Sequence, residues 1–150
     1  MSIHEAGFAV LPREAQAWRE SKLMKIPFAN LLEQLGDAAP MGGRLWRLPP
    51  FSANTWHRHV HQWELYFVLE GKGRIRVGDQ TFSLERHGCI LVAPGKLRQI
   101  FNDTAEEVLW LILGAPRESA PLNPSDIYPE DPKSLPAELH GRVWPPGKNS

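Results

Sequence analysis

Residues 64–84 read ELYFVLEGKGRIRVGDQTFSL, and this stretch decides the fold class. It contains three runs of apolar or alternating residues, at 64–69, 74–77 and 81–84. Their period and their β-branched and aromatic content are typical of strands. The two residues Gly78 and Asp79 between alternating runs are typical of a β-hairpin turn. The stretch therefore predicts three consecutive antiparallel strands.

Further strand signals lie on both sides of this stretch, at 46–48, 89–93, 98–102 and 108–113. Only Pro94 falls between Phe51 and Gly114, and a strand-rich segment requires this because proline cannot donate to a sheet. About seven or eight short strands with frequent turns predict an all-β antiparallel barrel or sandwich.

The flanking segments differ from this middle in composition. Asn30 to Gly36 has an N-cap residue, a glutamate three residues later and a closing glycine, which predicts a short N-terminal helix. Residues 15–29 fit a strand or a helix. Eight of the 14 prolines lie between Pro116 and Pro146, so long regular elements are excluded there. Apolar residues in this stretch favour an arm laid over the barrel: Leu122, Ile127, Tyr128, Leu135, Leu139, Val143 and Trp144. We expect an N-terminal arm over 1–40, a barrel over 41–114 and a proline-rich C-terminal arm packed on the barrel over 115–150.

The overall composition of the 150 residues argues against several classes of protein and predicts a single domain. With 17 basic and 17 acidic residues the net charge is zero, which argues against nucleic-acid and anionic membrane partners. The longest apolar run, 108–113, is too short to cross a bilayer, and the N-terminus lacks the layout of a signal peptide. The single cysteine fits a cytoplasmic location, and its apolar neighbours predict that Cys89 is a buried structural thiol.

Three of the six histidines stand within five residues, at positions 57, 59 and 61. On a strand, residues i and i+2 face the same way, so His57 and His59 present two imidazoles from one face. Glu64 follows at the start of the next strand. Two imidazoles and a carboxylate suit a divalent first-row metal, including the facial arrangement of non-haem Fe(II). A group of surface histidines on a loop is the alternative.

The spacing His57-x-His59-x4-Glu64-x6-Gly71 is similar to the first motif of the cupin superfamily, G-x5-H-x-H-x3,4-E-x6-G. The opening glycine of that motif is missing, since Phe51 stands at its position.

The second cupin motif is G-x5-P-x-G-x2-H-x3-N, and Gly88-x5-Pro94 matches its beginning. The later positions differ, because Lys96, Gln99 and Asp103 stand where the motif has glycine, histidine and asparagine. The resemblance covers roughly residues 44–114.

This resemblance implies a cupin-type jelly-roll β-barrel with a divalent transition metal in its mouth, which would be Fe, Mn, Ni or Zn. The implied ligands are His57, His59 and Glu64, with Gln99 at the fourth position. Gln99 either binds the metal through its amide oxygen or hydrogen-bonds a water or the substrate. A site that has lost its metal is a third interpretation. His61 stands too close to Glu64 for the motif spacing and is interpreted as a rim or structural histidine. The remaining histidines, which we expect to be exposed, are His4, His87 and His140.

Members of the superfamily include dioxygenases, isomerases, decarboxylases and lyases. The resemblance therefore implies a metal-dependent enzyme acting on a small organic molecule, and a non-catalytic module that binds or senses a small ligand is the alternative. Tyr66 and Phe101 share strand parity with Glu64 and Gln99, so they are candidate pocket walls, together with Trp46. Four cations near predicted strand ends are solvated charges or hold an anionic substrate: Arg44, Arg47, Lys96 and Arg98.

The run 64–69 is apolar on both faces, with Tyr66 and Val68 on one side and three apolar residues on the other. A strand with one buried face alternates with polar residues, so the second face needs a cover. We expect a homodimer, with the terminal arms contributing to that cover.

Overall fold

The computed structural model describes residues 6–118 and 135–142. Within these residues, ten strands form two antiparallel sheets. The strands are β1 (Arg19–Glu20), β2 (Pro27–Asn30), β3 (Gly42–Leu48), β4 (Ser52–Ala53), β5 (Trp63–Glu70), β6 (Gly73–Val77), β7 (Gln80–Leu84), β8 (Cys89–Val92), β9 (Arg98–Asn102) and β10 (Val108–Ala115). Helical segments include α1 (Leu31–Gln34) and two short 3-10 helices at Arg13–Ala15 and Ala137–Leu139.

The two sheets face each other across a shared apolar core. The larger sheet has the order β1-β2-β3-β10-β5-β8, and the smaller one has the order β4-β9-β6-β7. Ile75 and Ile100 of the smaller sheet pack with Tyr66, Val68 and Trp110 of the larger one. The all-β jelly-roll barrel expected from the sequence is confirmed.

Residues of strand β5 alternate between the inner and the outer face of the larger sheet, and this alternation directs Glu64 into the barrel. Glu64, Tyr66 and Val68 are buried, whereas Leu65 and Phe67 are half-buried on the outer face. Strands β3 and β10 alternate in the same way, so one face of the larger sheet lines the barrel interior. The polar Glu64 therefore sits on an otherwise apolar inner surface.

Two glycines serve this fold, one in the core and one in a turn. Gly73 lies directly over Trp110, where a Cβ atom would be 2.6 Å from the indole carbon Cζ2 and 2.4 Å from Val68 Cγ2. Gly78 adopts a φ of +59°, which glycine reaches without strain, in the turn between β6 and β7. The hairpin expected at Gly78 and Asp79 is confirmed.

The N-terminal segment contributes both strand and helix. Residues 19–30 form β1 and β2, which extend the larger sheet beyond β3. Asn30 Oδ1 then accepts a hydrogen bond from the backbone N–H of Glu33 at 3.2 Å, and this cap starts α1. The short helix is thus confirmed. In the part of the chain that the structure describes, no helix has the length and apolar character needed to span a membrane.

The described part of the C-terminal segment lies on the outer side of the smaller sheet. Leu139 is fully buried against Ala53 and Phe101, and Glu138 pairs with Arg74 at 2.9 Å. Leu135 also packs against the core. Several residues discussed above lie outside the described residues: His4, Leu122, Ile127, Tyr128, Val143 and Trp144.

The expectation of a buried thiol at Cys89 is wrong, because this side chain is exposed. Strand β8 is the edge of the larger sheet, and Cys89 faces outward opposite Phe67. Apolar neighbours in sequence indicate a strand, but they do not tell which side of it is covered.

Candidate metal centre

Three polar side chains from two segments meet inside the barrel: His57, His59 and Glu64. His57 lies between β4 and β5, where its backbone exchanges two hydrogen bonds with Arg98 of β9, at 3.1 and 2.8 Å. The carbonyl oxygen of His59 accepts a hydrogen bond from the N–H of Gly95 at 2.8 Å. These backbone contacts hold both histidines in place, and Glu64 reaches them from the inner face of β5.

Atoms of these three residues that can bind a metal lie within 4.8 Å of one another. His59 Nε2 is 3.1 Å from Glu64 Oε1, and His57 Nε2 is 3.9 Å from Glu64 Oε2. The two imidazole rings meet edge to face, with their centroids 5.1 Å apart. Two histidines and one carboxylate in this proximity form a donor set that suits divalent first-row metals.

The Nδ1 atom of each histidine lies within hydrogen-bond distance of an acceptor outside the cluster. His57 Nδ1 lies 2.9 Å from the carbonyl oxygen of Thr55, and His59 Nδ1 lies 3.0 Å from Glu118 Oε2. A carbonyl and a carboxylate only accept hydrogen bonds, so each Nδ1 carries the proton and donates it. Each Nε2 then faces Glu64, which is the orientation that a metal-binding histidine takes when an outer acceptor fixes its ring.

Glu118 itself is firmly placed, although it follows the last strand. Its Oε1 accepts hydrogen bonds from the backbone N–H groups of His61 and Gln62, the second at 2.8 Å. These bonds and that of His59 lower the pKa of Glu118 and outweigh its partial burial, which acts in the opposite direction. Sequence reasoning missed Glu118, because it lies 59 residues from His59 in a segment without motif signals.

The charges in this cluster favour the ligand forms of two residues. Burial lowers the pKa of His57 to about 4, so its imidazole is neutral at neutral pH. Burial alone would raise the pKa of Glu64, but the hydrogen bond of His59 and nearby positive charges lower it to about 2. Burial alone would also lower the pKa of His59, yet its bonds to two carboxylates raise it. A metal would replace the Nε2 proton of His59 between these groups.

Arg98 and Tyr66 hold the second oxygen of the carboxylate. The Arg98 side chain is fully buried, and its Nε lies 3.2 Å from Glu64 Oε2. The phenol of Tyr66 donates to the same oxygen at 2.5 Å. Glu64 Oε1, in contrast, faces His59. The donor set thus fits a metal bound through Oε1, because Oε2 accepts the hydrogen bond of Tyr66 and forms the ion pair with Arg98.

Gln99 does not join this cluster, although the sequence places it at the fourth ligand position. Its Nε2 donates to the carbonyl oxygen of Asn54 at 2.7 Å, and its Oε1 accepts from Arg76 Nε at 2.7 Å. Both ends of the amide are therefore engaged elsewhere. Successive residues of a strand face opposite sides, so the approach of Arg98 to Glu64 directs Gln99 away from it.

The register of β9 explains the difference. The end of the second motif, G-x2-H-x3-N, is matched by Gly95, Arg98 and Asn102 once one residue between Pro94 and the glycine is omitted. Asn102 behaves as a structural residue, since its buried amide donates to Pro49 O at 3.0 Å and to Glu106 O at 2.6 Å. Arg98 thus stands where the motif has its histidine.

A cavity of about 600 Å³ opens beside the cluster. Trp46 and Tyr66 line it, as expected for pocket walls. Phe101 does not, because it shares the parity of Gln99 and packs outward against Leu139. Other lining residues come from both sheets and the N-terminal segment; they include Met24, Asn54, Gln62, Ile100, Ile112 and Arg117.

The remaining histidines and cations fall at different places. His61, His87 and His140 are exposed. Arg47 pairs with Glu107 at 2.7 Å, away from the cavity, while Arg44 lies on the cavity wall.

Comparison with known proteins agrees with this architecture. Residues 44–114 match the family model of the cupin domain. The chain therefore contains a cupin domain over these residues. A search of curated proteins found no significant match.

Solved structures of similar fold include two proteins described as enzymes. A sugar phosphate isomerase of the cupin superfamily from Silicibacter pomeroyi shares 21% identity with a TM-score of 0.65, over 73% of this chain and 76% of that one. A predicted oxalate decarboxylase from Thermotoga maritima shares 18% identity with a TM-score of 0.62, over 70% of this chain and 96% of that one. At such identities the likeness shows the cupin fold.

Proposed function

We propose that this cupin binds one divalent transition metal through His57, His59 and Glu64 and uses it to act on a small organic molecule in the cavity. The observation that carries the proposal is the placement of the ring nitrogens. Both Nδ1 atoms have outer acceptors, and both Nε2 atoms turn toward the carboxylate. Fe, Mn, Ni and Zn all accept such a donor set.

A bound divalent ion supplies Lewis acidity toward a carbonyl or enolate oxygen, or reactivity with O2 if it is iron. The residues of the chain orient the ligands and shape the cavity. Tyr66 and Arg98 fix the orientation of the Glu64 carboxylate, and Glu118 fixes the ring of His59. Burial and the charge of Glu64 raise the pKa of Tyr66 well above its usual value, so the phenol keeps its proton and remains a donor.

The alternative function is non-catalytic binding of a small ligand, and Arg98 favours it. A guanidinium 3.2 Å from Glu64 already neutralises the carboxylate, so the site is less dependent on a metal than one with a fourth neutral ligand. Two proteins of similar fold, a sugar phosphate isomerase and a predicted oxalate decarboxylase, support the enzyme.

Elemental analysis and a competition titration with a calibrated chelator test the proposal. We expect one equivalent of metal in the wild type and in His61→Ala, because the His61 side chain is exposed and outside the cluster. His57→Ala and His59→Ala should each lose stoichiometric metal. Equal losses in His61→Ala and His57→Ala would contradict the assignment of ligands. Substoichiometric metal in the wild type would support the binding module instead.

We also propose that two copies of the chain pair through the outer face of the larger sheet. Leu91 of β8 is 59% exposed beside Leu65 of β5, and Trp63 is 50% exposed at the start of β5. Leu32 of α1 lies against Gly43 of β3, which is two strands away from β5 in the same sheet. An apolar face of this kind is typical of homodimer interfaces.

A further inference from the structure

The cavity wall carries charges of both signs, and its carboxylates are paired. Asp37 accepts a hydrogen bond from Arg117 Nη2 at 2.7 Å. Glu118 accepts from His59 and from two backbone N–H groups. Glu64 is bound by Arg98, by His59 and by the phenol described above. Each described carboxylate on the wall therefore already has its partners.

Two cations on the same wall, Lys22 and Arg44, have no hydrogen bond or ion pair with any residue that the structure describes. The guanidinium of Arg44 lies over the ring of Phe28, at 5.5 Å from its centroid. Phe28 in turn stacks on Trp46, with centroids 4.8 Å apart. The aromatic stack thus holds the Arg44 guanidinium in place without neutralising its charge.

Arg44 lies on the inner face of β3, at a distance from the metal-binding cluster. It pairs with Ile112 of β10, which pairs with Tyr66 of β5, two residues from Glu64. With strands about 4.8 Å apart and a rise of about 3.4 Å per residue, the Cα atoms of Arg44 and Glu64 are about 12 Å apart. Ile112 and Gly114 of β10 lie between them on the cavity wall.

We propose that the cavity binds a small organic carboxylate, whose carboxylate group pairs with Arg44 while its other polar end faces His57, His59 and Glu64. The inference rests on the proposed function in taking this cavity as the substrate site. A single guanidinium matches a carboxylate with two parallel hydrogen bonds, and Lys22 adds a second positive charge on the same wall. A volume of about 600 Å³ accommodates such a molecule.

An NMR titration of the metal-free protein with 4-oxopentanoate tests this inference. The probe has one carboxylate and one distant carbonyl, and 4-oxopentanamide is its uncharged counterpart. We expect saturable binding of the acid, with the amide weaker by about tenfold or more, because a charged hydrogen-bonded pair is lost. Arg44→Ala should lose the same factor for the acid. Arg44→Gln keeps most of the side-chain length and should show the same loss of affinity for the acid. A loss in both variants cannot be attributed to misfolding of the alanine variant alone.

Arg47→Ala is the matched control, since Arg47 lies on the same strand but pairs with Glu107 outside the cavity. The affinity of Arg47→Ala for 4-oxopentanoate should equal that of the wild type. The inference is overturned if the wild type does not bind 4-oxopentanoate saturably, if Arg44→Ala and Arg44→Gln bind it unchanged, or if inorganic phosphate binds more tightly than the acid. Retained binding of the acid by a protein that takes up no metal would refute the metal proposal and leave this inference standing.

Discussion

Replacing Arg98 with histidine tests what the buried guanidinium does to the metal site. Its Nε lies 3.2 Å from Glu64 Oε2. At that distance, with an effective dielectric constant of about 20, the two charges attract each other by about 5 kcal/mol before desolvation. A divalent ion that binds Glu64 competes with this attraction. Arg98→His removes this competition. If about a third of the 5 kcal/mol becomes available to the metal, its binding tightens by more than about tenfold. The new imidazole also adds a ligand.

The same substitution has the opposite effect on the metal-free protein. It removes the charged partner of a buried carboxylate, which costs about 3–5 kcal/mol of unfolding free energy. For a chain of this size, we expect Tm to fall by on the order of 10 °C. Addition of metal should restore most of the loss, because the ion replaces the missing positive charge.

A competition titration of four proteins separates the contributions of charge and ligand. Arg98→His should bind metal most tightly, followed by Arg98→Gln, which removes the charge and adds no imidazole. The wild type and Gln99→His should bind equally, because residue 99 faces Asn54 and Arg76. The reasoning is refuted if Arg98→His binds no more tightly than the wild type, or if Gln99→His gains as much as Arg98→His.

Three further predictions concern the surroundings of the site. Glu118→Ala should weaken metal binding by about 10- to 100-fold in the same titration, because the His59 ring loses its outer acceptor; an unchanged affinity would show that this bond is dispensable. Light scattering at micromolar concentration should give a dimeric mass for the wild type and a monomeric mass for Leu91→Glu, and a monomeric wild type would reject the proposed interface. Gly73→Ala should lower the free energy of unfolding in urea by about 1–3 kcal/mol, because the added methyl group overlaps Trp110 and Val68; wild-type stability would mean that the core relaxes around it.

Local sequence was sufficient to predict the fold class and the cluster of His57, His59 and Glu64. The alternation of residues 64–69 depends on the two-residue period of a strand, and the turn at Gly78 depends on the backbone freedom of glycine. The three residues His57, His59 and Glu64 lie within eight positions of one another, so their spacing alone is enough to predict that they form a cluster. For the same reason, the helix at Asn30 could be predicted from its cap.

Tertiary structure alone decided which residue of β9 reaches the carboxylate. A shift of one residue exchanges every inward and outward side chain of a strand, and the absence of the motif's residue between Pro94 and Gly95 sets that register. Arg98 rather than Gln99 therefore meets Glu64, and Phe101 faces outward. Glu118 reaches His59 from 59 residues away. Arg44 reaches the cavity wall because β3 pairs with β10, where Arg44 lies opposite Ile112. Such contacts depend on three-dimensional packing between distant segments, which no local pattern in the sequence encodes.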